Sequence, residues 1–333
     1  VFMTDNGTSG GATLDEDGFV IGGYNAGMRG IKNWEYDGGH RVPFFIRWPA
    51  GGIGGGHDVA ELTANVDIMP TLLDLCGVSP GEHTFDGSSL VPLLRGEAVA
   101  WPDRIMVTDS QRVTHPIKWR KSATMTRRWR LVNGVELYDI LADPEQRHDV
   151  AQAHPDVVAA LREGYERWWE KVSEQFDGTI PIVLGRAKGT TERLTTHDWR
   201  NDPVACAWNQ ADIRAGMVCN GYWEVEFAQA GRYRFELRRW PREEDLEMVA
   251  GIAGPLKPFT DEIKTGWGGG RALPLSSARL RVGEQELGQG IEPDQKEIVF
   301  ELDLEPGETQ LQTYLSGDDD LALGAYYVYV TRI

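Results

Sequence analysis

The stretch VFMTDNG, residues 1–7, decides the fold expected for the first part of the chain. An apolar run, Val1–Met3, leads directly into polar residues and then into a glycine-rich segment. This pattern is typical of a buried parallel strand, whose carboxyl end carries polar side chains to the sheet edge where ligands bind in open α/β folds. We therefore predict an α/β domain with site residues directly after Met3.

The following residues alternate between short apolar runs and helical periodicity. A helix is predicted at TANVDIMPTLLDLCGV, residues 63–78, with Gly77 as its C-cap. A long amphipathic helix is predicted from His154, with Pro155 in its first turn. The α/β domain is expected to end near residue 175. Strands are predicted at VPFFIRWP (42–49), RIMVTDS (104–110) and RWRLVNG (128–134).

From residue 176 to residue 333 the period of the pattern changes to two. The stretch GYWEVEFAQAGRYRFELRRW, residues 221–240, alternates apolar and polar residues on both sides of Ala-Gly, which predicts a hairpin. Further alternating runs, with no helical pattern between them, predict an all-β sandwich for this second domain.

Charge and cysteine content narrow the choice of partners and compartment. Aspartate and glutamate number 51 against 34 lysines and arginines, a formal net charge of −17. Such a field repels nucleic acid and anionic membranes, so neither is an expected partner, and an anionic substrate requires local cations or a metal. Cys76, Cys206 and Cys219 do not form a disulfide framework. The last two either pair in an oxidising compartment or remain free thiols.

Two features of the first fifty residues could bind a ligand. Asp5 and Asn6 are adjacent oxygen donors that suit a hard cation such as Ca²⁺ or Mg²⁺, although Asp-Asn-Gly is also a common turn. Lys32 lies among glycines whose tight turns can present its ammonium group to an oxyanion. The alternative for Lys32 is a solvated surface lysine.

Four motifs follow one another along the first part of the chain: TDNG (4–7), GIKNWEYDGGHRVPFFIRWP (30–49), DIMPTLLDLCG (67–77) and ELYDILADPEQ (136–146). Their order and spacing resemble the sulfatase family of the alkaline-phosphatase-like α/β superfamily. The resemblance covers roughly residues 1–175. The segment from HDWRNDPVACAWNQ to GAYYVYV looks like the C-terminal β domain of some bacterial-type arylsulfatases.

The resemblance implies roles for individual residues. Asp5 and Asn6 match ligands of a calcium ion, with Mg²⁺ as a possible substitute, and Lys32 matches the lysine that contacts the substrate sulfate. Arg41 matches an arginine that we expect to pin its loop. His40 occupies a variable position of the motif, where it either lines the substrate pocket or lies at the surface.

A loop between two predicted strands, DSQRVTHPIKWRKS (109–122), offers further candidates for substrate binding. Arg112 and His115, together with Gln111 and Lys118, would reach a sugar hydroxyl or a second anionic group. The alternative is a solvated connection with no role in binding.

Sulfatases use a formylglycine made from Cys or Ser in a Cys/Ser-x-Pro/Ala-x-Arg motif, and no cysteine of this chain fits that motif. We expect the formylglycine and further calcium ligands in polypeptide before Val1, so that the chain is either a truncated enzyme or a natural remnant. It is expected to be inactive alone. The family implies a periplasmic or secreted protein.

Two other functions remain open from the sequence. Related members of the superfamily hydrolyse phosphate or phosphonate esters with the same Asp-Asn site. The β domain could bind carbohydrate through its tryptophans, although these could equally form its core. The tryptophans considered are Trp199, Trp208, Trp223, Trp240 and Trp267.

Overall fold

The computed structural model describes residues 1–111, 113–201, 205–257, 268–317 and 321–333. The chain divides into two compact units. The first contains Val1–Gln111 and Pro116–Gln175, and the second contains Phe176–Ile333 with the short segment that ends at His115.

The first unit mixes short strands with helices, consistent with the predicted α/β class. Its strands are β1 (Phe2–Met3), β2 (Thr13–Leu14), β3 (Val20–Gly22), β4 (Phe44–Phe45), β5 (Met106–Asp109), β6 (Ser122–Met125), β7 (Trp129–Val132) and β8 (Glu136–Asp139). Its α-helices are α1 (Asp37–His40), α2 (Ile68–Cys76), α3 (Val91–Leu94) and α4 (Pro155–Ser173), and single 3₁₀ turns lie at Pro49–Gly51, Asn65–Asp67 and Ala151–Ala153.

The centre of this unit is an antiparallel meander in the order β5-β6-β7-β8. Helix α4 packs on it, because Leu131 and Leu137 of the sheet form one buried cluster with Val158 and Leu161 of the helix. The predicted long helix is therefore confirmed, including Pro155 in its first turn. The strands predicted at 104–110 and 128–134 are confirmed as β5 and β7.

The opening strand differs from the prediction. Strand β1 pairs antiparallel with β4, with Phe2 opposite Phe45, and every strand pair described in this unit is antiparallel. Phe2 is 61% exposed and Phe45 is 64% exposed. The prediction of a buried parallel strand is wrong for the described structure, because the two phenylalanines contact each other while no described layer covers them.

Helix α2 confirms the helix predicted within residues 63–78, and Gly77 ends it in the left-handed conformation at φ 63°. The buried carboxylate of Asp67 fixes its start, accepting hydrogen bonds from the N–H groups of Ala64 and Ser88, both at 2.8 Å. Arg104 donates to both oxygens of the same carboxylate. Asp67 thereby joins the helix start to the segment before β5.

The second unit is built mainly of strands. They are β9 (Ile182–Leu184), β10 (Thr191–Thr195), β11 (Tyr222–Phe227), β12 (Gly231–Arg238), β13 (Ile252–Leu256), β14 (Gly268–Gly270), β15 (Leu275–Val282), β16 (Gln285–Gly290), β17 (Ile298–Leu304), β18 (Gly307–Gly317), β19 (Ala322–Leu323) and β20 (Tyr327–Arg332). Its described helices are the 3₁₀ turns Thr196–Asp198 and Arg242–Glu244 and the α-helix α5 (Gln210–Ala215).

Two sheets account for most of these strands. One has the order β10-β20-β12-β17, and the other has the order β16-β15-β18-β11-β9, with β19 paired to β18. Buried side chains from both sheets form one hydrophobic cluster, including Trp223 and Leu311 of one sheet and Phe235 and Val330 of the other. A face-to-face sandwich remains the prediction for their layout.

The hairpin predicted for residues 221–240 is wrong, because β11 and β12 belong to different sheets. Apolar alternation is the same for a hairpin and for a corner between sheets, since both send every second side chain to the core. Phe227 and Tyr233, on the two sides of the corner, make an edge-to-face contact with ring centroids 4.8 Å apart. The Tyr233 hydroxyl closes the corner by donating to the carbonyl of Gln229 at 2.7 Å.

Helix α5 was not predicted from the sequence. Its signal is a reciprocal cap: the side chain of Asn209 accepts from the N–H of Asp212, and the side chain of Asp212 accepts from the N–H of Asn209. Gly216 ends the helix in the left-handed conformation. Among the described residues of the chain, no helix is both long and apolar enough to cross a bilayer.

Candidate functional site

Two loops and the short helix α1 of the first unit are joined through their backbones. The N–H of Gly7 donates to the carbonyl of Gly39 at 3.0 Å, and the N–H of Lys32 donates to the carbonyl of Thr8 at 2.9 Å. The N–H of Gly38 donates to the carbonyl of Arg29 at 2.8 Å. The loop after β1, the loop that carries Lys32 and helix α1 are thus neighbours.

Glycine is required where these loops meet. A Cβ at Gly7 would lie 1.9 Å from the carbonyl oxygen of Gly38, and a Cβ at Gly38 would lie 2.1 Å from the carbonyl oxygen of Gly30. Both clashes are with backbone atoms, which cannot turn away as a side chain can. The glycines therefore set how closely the Asp-Asn-Gly loop approaches α1.

The donors of the Asp-Asn pair are placed differently. Asp5 is exposed, and Asn6 is half-buried. The amide nitrogen of Asn6 donates to the carbonyl of Gly7 at 2.8 Å, which uses the donor side of the amide and leaves its oxygen as the atom available to a ligand. Oxygen donors of this kind suit Ca²⁺ or Mg²⁺.

Two donors do not complete the coordination of a hard cation, which takes about six to eight oxygens for Ca²⁺. Among the described residues, no group of three or more His, Cys, Asp or Glu side chains could hold a metal ion. Asp5 and Asn6 therefore offer the oxygen ligands that such an ion prefers, and they provide part of a site.

Asp5 and His40 both line an open cleft of about 1570 Å³ in the first unit. Its lining is largely apolar, including Phe44 and Leu90. Its basic side chains besides His40 are Arg41, Arg47, His57, Arg127 and Arg130. Lys32 and Asn6 are not among its lining residues.

Asp37, the residue before Gly38 and Gly39, belongs to a buried ion pair. The carboxylate of Asp37 is fully buried, and it accepts a 2.9 Å hydrogen bond from Nε of Arg130, whose side chain is 6% exposed. The N–H of Asp37 donates to the side-chain carbonyl of the fully buried Gln146 at 2.8 Å. Asp37 is therefore held through both its side chain and its backbone.

Comparison with known proteins gives the family of this part of the chain. Residues 31–171 match the family described as N-sulphoglucosamine sulphohydrolase, C-terminal. Steryl-sulfatase of Mus musculus is 43% identical over 86 residues, which are 26% of this chain and 14% of that protein. N-acetylglucosamine-6-sulfatase of Bos taurus is 27% identical over 182 residues, 44% of this chain and 32% of that protein.

Residues 31–171 resemble the sulfatase family. The match spans only 14% and 32% of the length of these two sulfatases. Among solved structures, a CBM6 domain of a laminarinase from Zobellia galactanivorans aligns with a TM-score of 0.22 and 10% identity over 43% of this chain and 100% of that domain, a likeness too weak to carry an argument.

Within the sulfatase segment, His40 is largely buried. Its Nε2 lies 3.3 Å from the carbonyl oxygen of Glu35 and 3.8 Å from Oδ1 of Asp37. Burial lowers the pKa of His40; the nearby guanidinium groups of Arg130 and Arg41 also lower it, while Asp37 acts against them. The imidazole at the cleft is therefore neutral at pH 7.

Arg41 contributes less to the loop of the sulfatase segment than expected. Its side chain is 54% exposed, and its Nη1 lies 3.6 Å from Oδ2 of Asp37. Arg130 instead makes the close contact from a buried position. Asp37, Arg130 and Gln146 were not predicted from the sequence. The available signal was Arg130, a charged residue inside the otherwise apolar strand WRLV.

Beside the sulfatase motifs, the loop between β5 and β6 is described only in part. Arg112 lies outside the described residues, and His115 is exposed, groups with the second unit and does not line the cleft. Gln111 holds its own loop, accepting from the N–H of Ile117 at 2.8 Å, and Lys118 pairs with Glu166. The substrate roles of Arg112 and His115 stay predictions.

Proposed function

We propose that the chain is the C-terminal part of a sulfatase that hydrolyses aryl or carbohydrate sulfate esters. The formylglycine nucleophile would be supplied by polypeptide outside these 333 residues. The observation that supports this proposal best is the backbone connection of the Asp5-Asn6-Gly7 loop to the Lys32 loop and to Gly39. It brings together two motifs of the sulfatase family, TDNG (4–7) and the stretch 30–49.

In this proposal Asp5 and Asn6 hold one side of a calcium ion, with Mg²⁺ as the alternative, and the remaining ligands come from outside the described residues. A bound divalent cation polarises sulfate oxygens and offsets the charge that develops on them. The carboxylate of Asp5 and the amide oxygen of Asn6 would hold the ion. The hydrogen bond from Asn6 to Gly7 engages the amide nitrogen and would leave that oxygen available to the ion.

Lys32 would act as a second cation of the site. Its backbone is held by the hydrogen bond to Thr8, and within the described part of the chain its ammonium group has no ion-pair partner. An ammonium group beside a developing oxyanion offsets its charge. A chain with a net charge of −17 needs such a local cation for an anionic ester.

The experiment compares aryl sulfate turnover by the 333-residue chain with turnover by the longer reading frame that contains it. We expect hydrolysis by the longer polypeptide and none by the chain alone. Aryl phosphate, assayed in parallel, separates sulfatase from phosphate ester hydrolase. Turnover by the chain alone, or preference of the longer polypeptide for phosphate, contradicts the proposal. Secretion or a periplasmic location belongs to the same proposal.

Carbohydrate binding by the second unit is a second candidate, and one observation favours it. Trp199, Trp223 and Trp240 are buried and belong to the core. Trp208 is 52% exposed and stacks on His197 with ring centroids 4.4 Å apart, so that it offers a flat face of the kind that stacks on sugar rings. Trp267 lies outside the described residues.

The test titrates the chain and its Trp208→Ala variant with sulfated and unsulfated oligosaccharides, following tryptophan fluorescence. Binding at millimolar ligand that is lost in the variant supports the candidate. An unchanged signal in the unaltered chain excludes it, and Trp199→Phe checks that the fluorescence change does not come from the core.

A further inference from the structure

We infer that Arg130 is a positioning residue for the Asp5-Asn6 donors and for the Lys32 loop, and that it acts through Asp37 and the glycines that follow it. The inference rests on the proposed function for what those donors bind. The contacts that carry it run from the β-meander to the site in three steps.

The first step is the anchor of Arg130 on β7. Leu131, next to it, is fully buried in the cluster under α4. Nη1 of Arg130 donates to the carbonyl of Trp129 at 3.0 Å, and its Nε donates to Asp37. The guanidinium group therefore has one fixed position relative to the sheet.

The second step is the double attachment of Asp37. Its side chain is bound to Arg130, and its N–H is bound to Gln146, which lies in the turn after β8. Arg130 and Gln146 lie 93 and 109 residues further along the chain than Asp37. Helix α1 has only four residues, so these outside attachments define where it lies.

The third step leads from Asp37 to the donors. Gly38 and Gly39 follow it directly, and they bind the Lys32 loop through Arg29 and the donor loop through Gly7. These contacts are between backbone atoms. A Cβ at Gly7 would lie 1.9 Å from the carbonyl oxygen of Gly38, so that not even a methyl group fits there. A shift of Asp37 is therefore passed to Gly7, one residue after Asn6.

Stability alone does not account for an ion pair at this position. A buried ion pair adds little net stability compared with apolar residues of similar volume, because both charges lose their hydration. Its distinctive property is directional geometry. Arg130 and Asp37 thus contribute more to the position of the site loops than to the stability of the unit.

The experiment is hydrogen exchange by mass spectrometry on the full 333-residue chain, with and without millimolar CaCl₂. The variant is Asp37→Asn with Arg130→Met, which removes both charges and leaves no unpaired buried ion. We expect amide exchange at least tenfold faster in residues 5–8 and 30–40. Exchange in α4 should stay unchanged, and protection of residues 5–8 by calcium should need at least tenfold more calcium.

The matched control is Arg128→Met with Asp139→Asn, which removes an ion pair from the same sheet at a more exposed position. It should leave residues 5–8 as in the unaltered chain. Unchanged exchange and calcium response in the Asp37/Arg130 variant overturn the inference, and equal loosening of α4 overturns it in favour of a general structural role.

The two proposals fail separately. If calcium has no effect on the unaltered chain while the variant loosens residues 5–8, the positioning role stands and the proposed calcium site fails. If the double variant does not fold, Arg130→Lys provides the test, since it keeps the charge and loses the fork of donors. Retained exchange rates and calcium affinity in Arg130→Lys would also overturn the inference.

Discussion

The N–H of Gly7 donates to the carbonyl of Gly39 at 3.0 Å, and this bond joins two segments that are 32 positions apart in the sequence. It explains the glycine at position 7, because a Cβ there would lie 1.9 Å from the carbonyl oxygen of Gly38. The glycine at position 39 has another cause, since a Cβ there would lie 2.2 Å from the carbonyl oxygen of Trp34.

We expect Gly7→Ala to destabilise the first unit by about 1–3 kcal/mol, the usual cost of overpacking a site that cannot yield. The added methyl would meet the Gly38 carbonyl oxygen at 1.9 Å. Thermal unfolding measures the loss. Gly55→Ala is the control, because a Cβ there meets no atom within 4 Å. Equal melting temperatures for the two variants would contradict the close approach.

Arg104→Met should cost about 3–5 kcal/mol, because it leaves the buried carboxylate of Asp67 without its ionic partner. Denaturant unfolding, followed through amide exchange in α2, measures the free energy of unfolding of the first unit alone. The control is Arg167→Met, which removes an exposed pair with Glu163 and should cost less than about 1 kcal/mol. Similar costs for both variants would show that Arg104 does not hold the helix start.

The stability of the first unit should fall in acid through Asp67. Burial alone would raise the pKa of this carboxyl, but the hydrogen bonds from Arg104, Ala64 and Ser88 outweigh burial and lower the pKa below its ordinary value. The stabilisation is therefore complete above the unfolded pKa of about 3.9 and is lost as pH falls through the lower folded value.

Unfolding free energies measured from pH 6 down to pH 2 check this sign. Arg104→Met should flatten the decline below about pH 4, because it removes the partner that separates the folded from the unfolded pKa. Arg167→Met should keep the decline. A decline of the same size in both variants assigns the acid sensitivity to other carboxyl groups.

If the proposed longer polypeptide hydrolyses sulfate esters, Lys32→Ala in that polypeptide should lower kcat about 10²-fold or more, by analogy with loss of one oxyanion donor. Lys188→Ala is the control, an exposed lysine of the second unit. Turnover near that of the unaltered enzyme would exclude Lys32 as a sulfate contact. Retained turnover in Lys32→Arg would indicate that charge alone suffices.

Periodicity in the sequence was sufficient to predict elements such as helix α4 and strand β7. Helix α4 and strand β7 follow from apolar spacing, and Gly77 marks the end of α2. Periodicity could not tell which strands pair, and so β11 and β12 were assigned to one hairpin although they lie in different sheets. Both arrangements bury the same alternate side chains.

The candidate site was predictable as motifs and not as contacts. Asp5, Asn6 and Lys32 could be named from residue chemistry and family resemblance. The pair formed by Asp37 and Arg130 spans 93 positions, and no local pattern connects two residues so far apart. The exposure of Phe2 was missed for a related reason, since an apolar run does not reveal which surface covers it.

The meander β5-β6-β7-β8 makes contacts between chain neighbours, whereas the site loops depend on partners about a hundred positions away. Contacts between near neighbours form faster, because less chain entropy is lost in closing them. We therefore expect the meander to fold early, and the loops that carry Asp5 and Lys32 to settle only after Arg130 and Gln146 are in place to receive Asp37.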